Sequence, residues 1–477
     1  MNNAACRRQR RGMGIACSLA LGLCAGPAAA LDLVQVDWQF QYKDGAGQLH
    51  PVRLGQLTTF DQDPDGSASS RGIGPNGTSG PFPLILTGLD GRASAQLENF
   101  EAGGIDPIGR VSTQSNRPPG ASVVVTMNQR LDNDTKGAHY EASSPATPNV
   151  NGNVTVPAVL VAEPNTNLGR AFAAYDAMVT GKRYAEFLGS TPFAVDGVLA
   201  TTGGTELKRS IPDNRIYQLN VGTAAKPDTD AFDWDVLLHE MGHAVSRANG
   251  FNDSPGGQHT FAAVVAPKLA WAEGYSNFFQ AAAQRWEDGL AGDARLPDVR
   301  VGAGPQTIRD RILQYDDTRD STTTWDIERR GTLQDSSGVR TEPGGFGNEL
   351  VVARVLWDLL DGSAAAPEAD STVDRITIGH QSLFDLIKAS AATTLQAFKN
   401  HLDSTIASAL EKTRIGAIFA ANSAAPRALA ASAPASAPLA PPPPIAPAGP
   451  RDGQAAAGAT GSEHTPAKES GSPPYVL

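Results

Sequence analysis

The chain has 477 residues, 40% of them hydrophobic, with 49 Gly, 34 Pro and a formal charge of -11. That length accommodates two domains with sizeable cores plus extensions. The acidic balance, without any cluster of Lys and Arg, argues against nucleic acid as a partner.

Residues 1–30 have the layout of a cleavable secretory signal. Arg7, Arg8, Arg10 and Arg11 form the positive region, Gly12 to Ala25 a short apolar core, and Ala28-Ala29-Ala30 a small-residue cleavage site. About fourteen apolar residues are too few to span a bilayer, and no later stretch is apolar enough to cross one. The expected location is therefore secreted or periplasmic. Cleavage removes those four Arg and no acid, lowering the formal charge from -11 to -15. It also removes Cys6, Cys17 and Cys24, all the cysteines in the chain. Any metal in the mature protein must then be bound by His, Asp or Glu.

From Leu33 to Tyr42 the residues alternate. Val34, Val36, Trp38, Phe40 and Tyr42 fall on one face, as in a half-buried strand. Lys43-Asp44-Gly45 turns the chain, and short apolar runs follow at Pro83–Leu86 and Ala121–Met127. Residues 31–160 read as an all-β sandwich, and the spacing of strand, Asp-Gly turn and strand resembles small transthyretin-like modules. Asp61-Gln-Asp-Pro-Asp-Gly66 matches the first half of a calcium loop, but Gly72 stands where a Glu should close it. A polar turn is the preferred reading there, with Ca2+ as the alternative.

Helical periodicity begins after Asn167, with Leu168, Phe172, Tyr175 and Val179 on one face. A strand is expected at Arg215–Val221. Beyond it the chain reads as mostly helical to about Ala421, interrupted by polar loops at Asp316–Thr324 and Gly331–Gly347. Residues 161–425 form the second expected domain. Residues 426–477 collapse to Ala, Pro, Gly and Ser, including Pro441–Pro444, and read as a disordered tail. The expected fold class is α+β, an all-β sandwich followed by a mostly helical domain.

The decisive stretch is His239-Glu240-Met-Gly-His243. On a helix, positions i and i+4 share a face, so both imidazoles reach one ion at about 2.0–2.1 Å. Glu240 is angled toward a water activated by that ion rather than toward the ion. Asp233 is the expected N-cap and Gly250 the expected stop. A zinc hydrolase needs a third protein ligand, and Glu273 is the expected one, with an ordinary ion pair on the helix surface as the alternative. It lies in the apolar stretch Trp271-Ala-Glu-Gly-Tyr-Ser-Asn-Phe-Phe279, where an acid is costly unless paired or bound to metal. Asn277, one turn further, either accepts an imidazole N–H from His239 or His243 or makes an ordinary polar contact.

These two pieces, followed by Asn348-Glu349-Leu-Val-Val-Ala-Arg-Val-Leu-Trp357-Asp-Leu, resemble the thermolysin and fungalysin group of zinc peptidases (gluzincins). The resemblance spans residues 230–365 and implies one Zn2+ on His239, His243 and Glu273, with Glu240 as general base. It implies a peptidase domain split by a cleft, with a small sheet beside the active-site helix and a helical second lobe. Two positions depart from the family's pattern. Asn277 stands where Asp is usual, and Gly345 where the family carries a proton-donating His. Tyr275, Tyr217, His259 and His380 are the available substitutes, and no spacing ties any of them to the zinc motif. The expected function is hydrolysis of peptide bonds in a peptide or protein substrate, most simply by an endopeptidase. A zinc aminopeptidase is the alternative within enzymes, although residues 200–225 lack the Gly-x-Met-Glu-Asn type of strand. The other alternative is a degenerate zincin-fold binding module.

Overall fold

The computed structural model describes residues 32–424 apart from 45–46, 63–67, 70–71, 74–84, 100–102, 116–123, 131–135, 164–165, 200–204, 210–213, 219–221, 224–225, 228–230, 292–311, 316–322, 328–329, 336–337 and 362–375. The expected signal, the Ala/Pro-rich tail and residues 63–66 of the suggested calcium loop lie outside the described residues. Helices and several small sheets together make a mixed α+β fold. No helix among the described residues is long and apolar enough to cross a membrane.

The strand Asp32–Lys43 anchors the first sheet. It pairs antiparallel with Arg92–Asn99 and Leu49–Pro51, and parallel with Val154–Thr155 and Val159–Ala162. Its alternating residues Val34, Val36, Trp38, Phe40 and Tyr42 are all buried. A second sheet is built on the antiparallel pair Gln56–Gln62 and Pro107–Ser112. Leu57 and Val111 from that sheet share one apolar cluster with the buried face of the first, so the two sheets lie face to face.

Strand pairing crosses the boundary that the sequence suggests at residue 160. Val124–Arg130 joins neither of these sheets. It runs parallel to Ala194–Leu199, which in turn runs parallel to Asn214–Gln218, with Lys136–His139 and Thr205–Arg209 antiparallel at the edges. A local run of Val residues identifies a strand but not its partner. The apolar face of this third sheet, with Val125, Met127 and Val195, packs on helix α1 (Asn167–Phe187).

Helix α1 is capped by Thr166, whose side chain accepts from Gly169 N at 2.9 Å. It is buried nearly all round because it serves two cores. Phe172 and Ala173 belong to the cluster of the first two sheets, and Tyr175, Met178 and Val179 to the helical one. Beside it Arg53, from the turn after the first sheet's hairpin, is buried among Asp176, Thr180 and Glu287. Tyr42 donates to the other oxygen of Asp176 at 2.7 Å.

The helical part comprises α2 (Trp234–Ala248), α3 (Pro267–Ala291), α4 (Glu349–Asp361), α5 (His380–Ser390), α6 (Leu395–Thr405) and α7 (Ala409–Ser423). Helix α3 lies between α2 and α4, and α2 also meets α1 and the edge strand Thr205–Arg209. The regions read from sequence as polar loops hold short strands instead, at Thr323–Asp326, Gln334–Asp335 and Gly338–Val339. A buried ion pair organises them. The carboxylate of Glu342 takes Arg354 Nη1 at 2.6 Å and Nη2 at 3.0 Å, and accepts Thr332 N and Leu333 N.

Candidate metal centre

Helix α2 begins where the sequence signals place it. Asp233 Oδ1 accepts from Asp235 N at 3.0 Å and Val236 N at 3.3 Å. It ends at Gly250, whose φ of 77° is the left-handed conformation that glycine favours after a helix. Between these ends His239 and His243 stand one turn apart, with ring centroids 4.8 Å apart and planes at 84°.

Two glycines bring the neighbouring helices close enough to complete the site. A Cβ on Gly242 of α2 would lie 2.7 Å from Ser276 Cα of α3. A Cβ on Gly274 would lie 2.4 Å from Val352 Cβ and 2.5 Å from the Glu349 carbonyl oxygen of α4. Glu273, next to the second glycine, thereby reaches the imidazoles. Its Oε2 lies 3.1 Å from His239 Nε2 and 3.0 Å from His243 Nε2. All three residues are buried, and their ligand-type atoms lie within 4.8 Å of one another.

His239 Nδ1 is 2.8 Å from Asn277 Oδ1, which can only accept, so Nδ1 carries the hydrogen. In the neutral ring His239 Nε2 then presents a lone pair toward Glu273, whereas in the protonated ring it donates to that carboxylate. Asn277 thus orients His239 rather than His243, whose Nδ1 is buried without a hydrogen-bond partner. Electron-rich atoms facing one another in the interior need a proton or a cation between them. Two imidazoles and one carboxylate are a donor set that fits zinc. Burial alone would raise the Glu273 carboxyl, but the charge of His243 and hydrogen bonds from both imidazoles hold it well below the usual carboxylate range. Glu240 is buried on the same helix, 6% exposed.

A residue from outside the motif joins this group. His259, in the loop 251–266 between α2 and α3, has Nε2 3.5 Å from Glu273 Oε2 and Nδ1 3.1 Å from Glu349 Oε2. Burial acts to lower its pKa. The bonded Glu349 carboxylate outweighs that, with the charges of Glu273 and Glu240 adding to it, and lifts the ring to about 9. The other suggested substitutes lie elsewhere. Tyr275 packs in the core against Phe251, ring centroids 4.9 Å apart. His380 Nδ1 is paired with the Tyr184 hydroxyl at 2.7 Å. Tyr217 has its backbone in the third sheet, and its side chain is outside the described residues. Gly345 adopts φ 94° and donates its N–H to Ser423 O. Glu349 carries the same sequence signal as Glu273, an acid heading the apolar run Leu-Val-Val-Ala.

No family model matches the chain, and no curated protein matches it. Among solved structures, a 9R-lipoxygenase from Cyanothece PCC8801 aligns with 34% of this chain at 16% identity and a TM-score of 0.17. The match spans 25% of that enzyme's length, and a likeness this slight carries no argument.

Proposed function

We propose that the protein is an exported zinc-dependent peptidase with a gluzincin-like catalytic domain. The observation that carries this reading is the convergence of His239 Nε2, His243 Nε2 and one Glu273 oxygen on a single buried point. Zinc held there would polarise a scissile carbonyl and lower the pKa of water to about 7. The remaining roles fall to the chain itself. Asn277 keeps the hydrogen on His239 Nδ1 and so keeps Nε2 available. Glu240, adjacent to the first imidazole, removes the proton from the attacking water and delivers it to the leaving amine. Glu273 would supply one negative charge against the two positive charges of such an ion, leaving a net positive centre. The signal-like layout of residues 1–30 supports export.

The test is purified full-length protein assayed for metal content and for digestion of casein. One zinc per chain is expected, with hydrolysis abolished by chelator and restored by zinc. Glu240→Gln should keep the zinc while losing about 10²–10⁴-fold in rate. Zinc bound without any hydrolysis would leave a binding module rather than an enzyme.

A further inference from the structure

The loop that carries His259 is fastened by the first residues of α4. Asn348 is fully buried, and its Nδ2 donates to the carbonyls of Phe261 and Ala263 at 2.9 Å each. Its Oδ1 accepts from Leu350 N and Val351 N and so caps the helix. Val265 N adds a bond to Gly347 O at 2.7 Å. Across this pinned junction, ligand-type atoms of His259, Glu349 and Glu273, one from each, lie within 4.8 Å of one another. Glu349 is 1% exposed, and its Oε1 is buried with no hydrogen-bond partner among the described residues. Its Oε2 stands 3.1 Å from His259 Nδ1. Ligands of one tetrahedral ion, each at about 2.0–2.1 Å, stand about 3.3 Å apart, so this pair is already spaced for a shared cation. Glu273 and the two imidazoles of the zinc motif show the same spacing, 3.1 and 3.0 Å.

We propose that His259, Glu349 and Glu273 form a second divalent-cation site, with the Glu273 carboxylate shared between it and the zinc site. The second site rests on the zinc centre of the peptidase reading and requires no hydrolysis. Glu273 belongs to both ligand sets. A carboxylate has lone pairs enough to serve two ions, as in centres whose metals lie about 3.5–4 Å apart. Charge points the same way. Glu240, Glu273 and Glu349 are all buried, and all three act electrostatically on His259. One zinc ion would offset two of these three negative charges and leave the third, which is costly to bury without a cation. One imidazole and two carboxylates are also richer in oxygen than the zinc motif's set, a shift toward the ligands that suit Mn2+. The rival is a plain ion pair of His259 with its acids, which binds no metal.

Metal counting separates the two. Full-length wild type, His259→Ala, His259→Gln and Glu349→Gln are loaded with zinc and desalted. Mn2+ is then titrated in, and its free fraction is read by electron paramagnetic resonance while zinc is counted by atomic emission. Zinc holds a given site more tightly than manganese, so the probe leaves the first ion in place. Wild type should bind one Mn2+ per chain with zinc still at one. Removing a mere partner of a ligand costs about 10–100-fold in metal affinity, so each variant, which loses a ligand, should bind Mn2+ at least about 100-fold more weakly. Zinc should stay at one in all of them. Zinc-loaded wild type that takes up no Mn2+ overturns the proposal and leaves the peptidase reading standing. Unchanged Mn2+ affinity in the variants overturns it too, since the ion would then sit elsewhere on the acidic chain. So does loss of zinc from His259→Ala, which would place His259 in the first site. Wild type that holds no zinc sinks the peptidase reading and the shared carboxylate together. Zinc without hydrolysis sinks that reading alone, because uptake of Mn2+ would still show the second site. If His259→Ala lacks a cooperative thermal transition, His259→Gln and Glu349→Gln are judged against the same limits.

Discussion

Arg53 and Glu287, 234 positions apart in the chain, meet at 2.8 Å in the interior. The same guanidinium also takes Asp176 and Thr180, and Arg183 closes the network on Glu287. Arg53→Met leaves two buried carboxylates short of a counter-charge and should cost about 3–5 kcal/mol in urea unfolding. The exposed pair of Lys43 and Glu163 gives the contrast, since Lys43→Met should cost no more than about 1 kcal/mol.

Asn277 holds His239 through an uncharged amide. Asn277→Ala should weaken zinc binding about 10–100-fold in competition with a chelator of known affinity. Asn277→Asp, which puts a carboxylate in the same place, should tighten it. An unchanged affinity in both variants would mean that the contact does not orient the ligand.

Gly274 holds α3 against α4. Backbone atoms border the space a methyl group would need, so the clash in Gly274→Ala cannot be relieved by a side chain swinging away. The two helices must separate, at a cost of about 1–3 kcal/mol. Glu273 is the adjacent residue, so zinc affinity should fall together with the thermal midpoint. A variant equal to wild type in both would refute this account of the helix approach.

His380 provides a pH signature. Burial, with the positive charge of Arg285 adding to it, depresses its pKa to about 4. As pH falls from about 6.5 toward 4, the unfolded chain takes up a proton that the folded chain refuses. The stability contribution is therefore complete above about 6.5 and is lost on acidification, with a slope of up to about 1.4 kcal/mol per pH unit. His380→Gln should flatten the stability profile of the wild type in that window.

What the sequence revealed was local. The cap at Asp233, the spacing of His239 and His243 and the alternation through Val34–Tyr42 each express a period or a turn within a few residues, and the fold retains them. Glu273 was legible because an acid in an apolar helix needs a partner. Glu349 satisfies the same criterion, but its partner His259 lies 90 residues away and leaves no local pattern. His259 offered no periodic signal, because its place depends on a loop pinned through Asn348. The pairing of Val124–Arg130 with Ala194–Leu199 was equally hidden, since a parallel partner leaves no trace in local pattern.

That pairing bears on maturation. A protease nicking the chain near residue 160 would not liberate the first two sheets as a separable prosegment. The released fragment would still own two of the five strands beneath α1, along with Arg53. The halves would remain clasped as a non-covalent complex, and pulling them apart would dismantle the platform on which α1 and α2 rest.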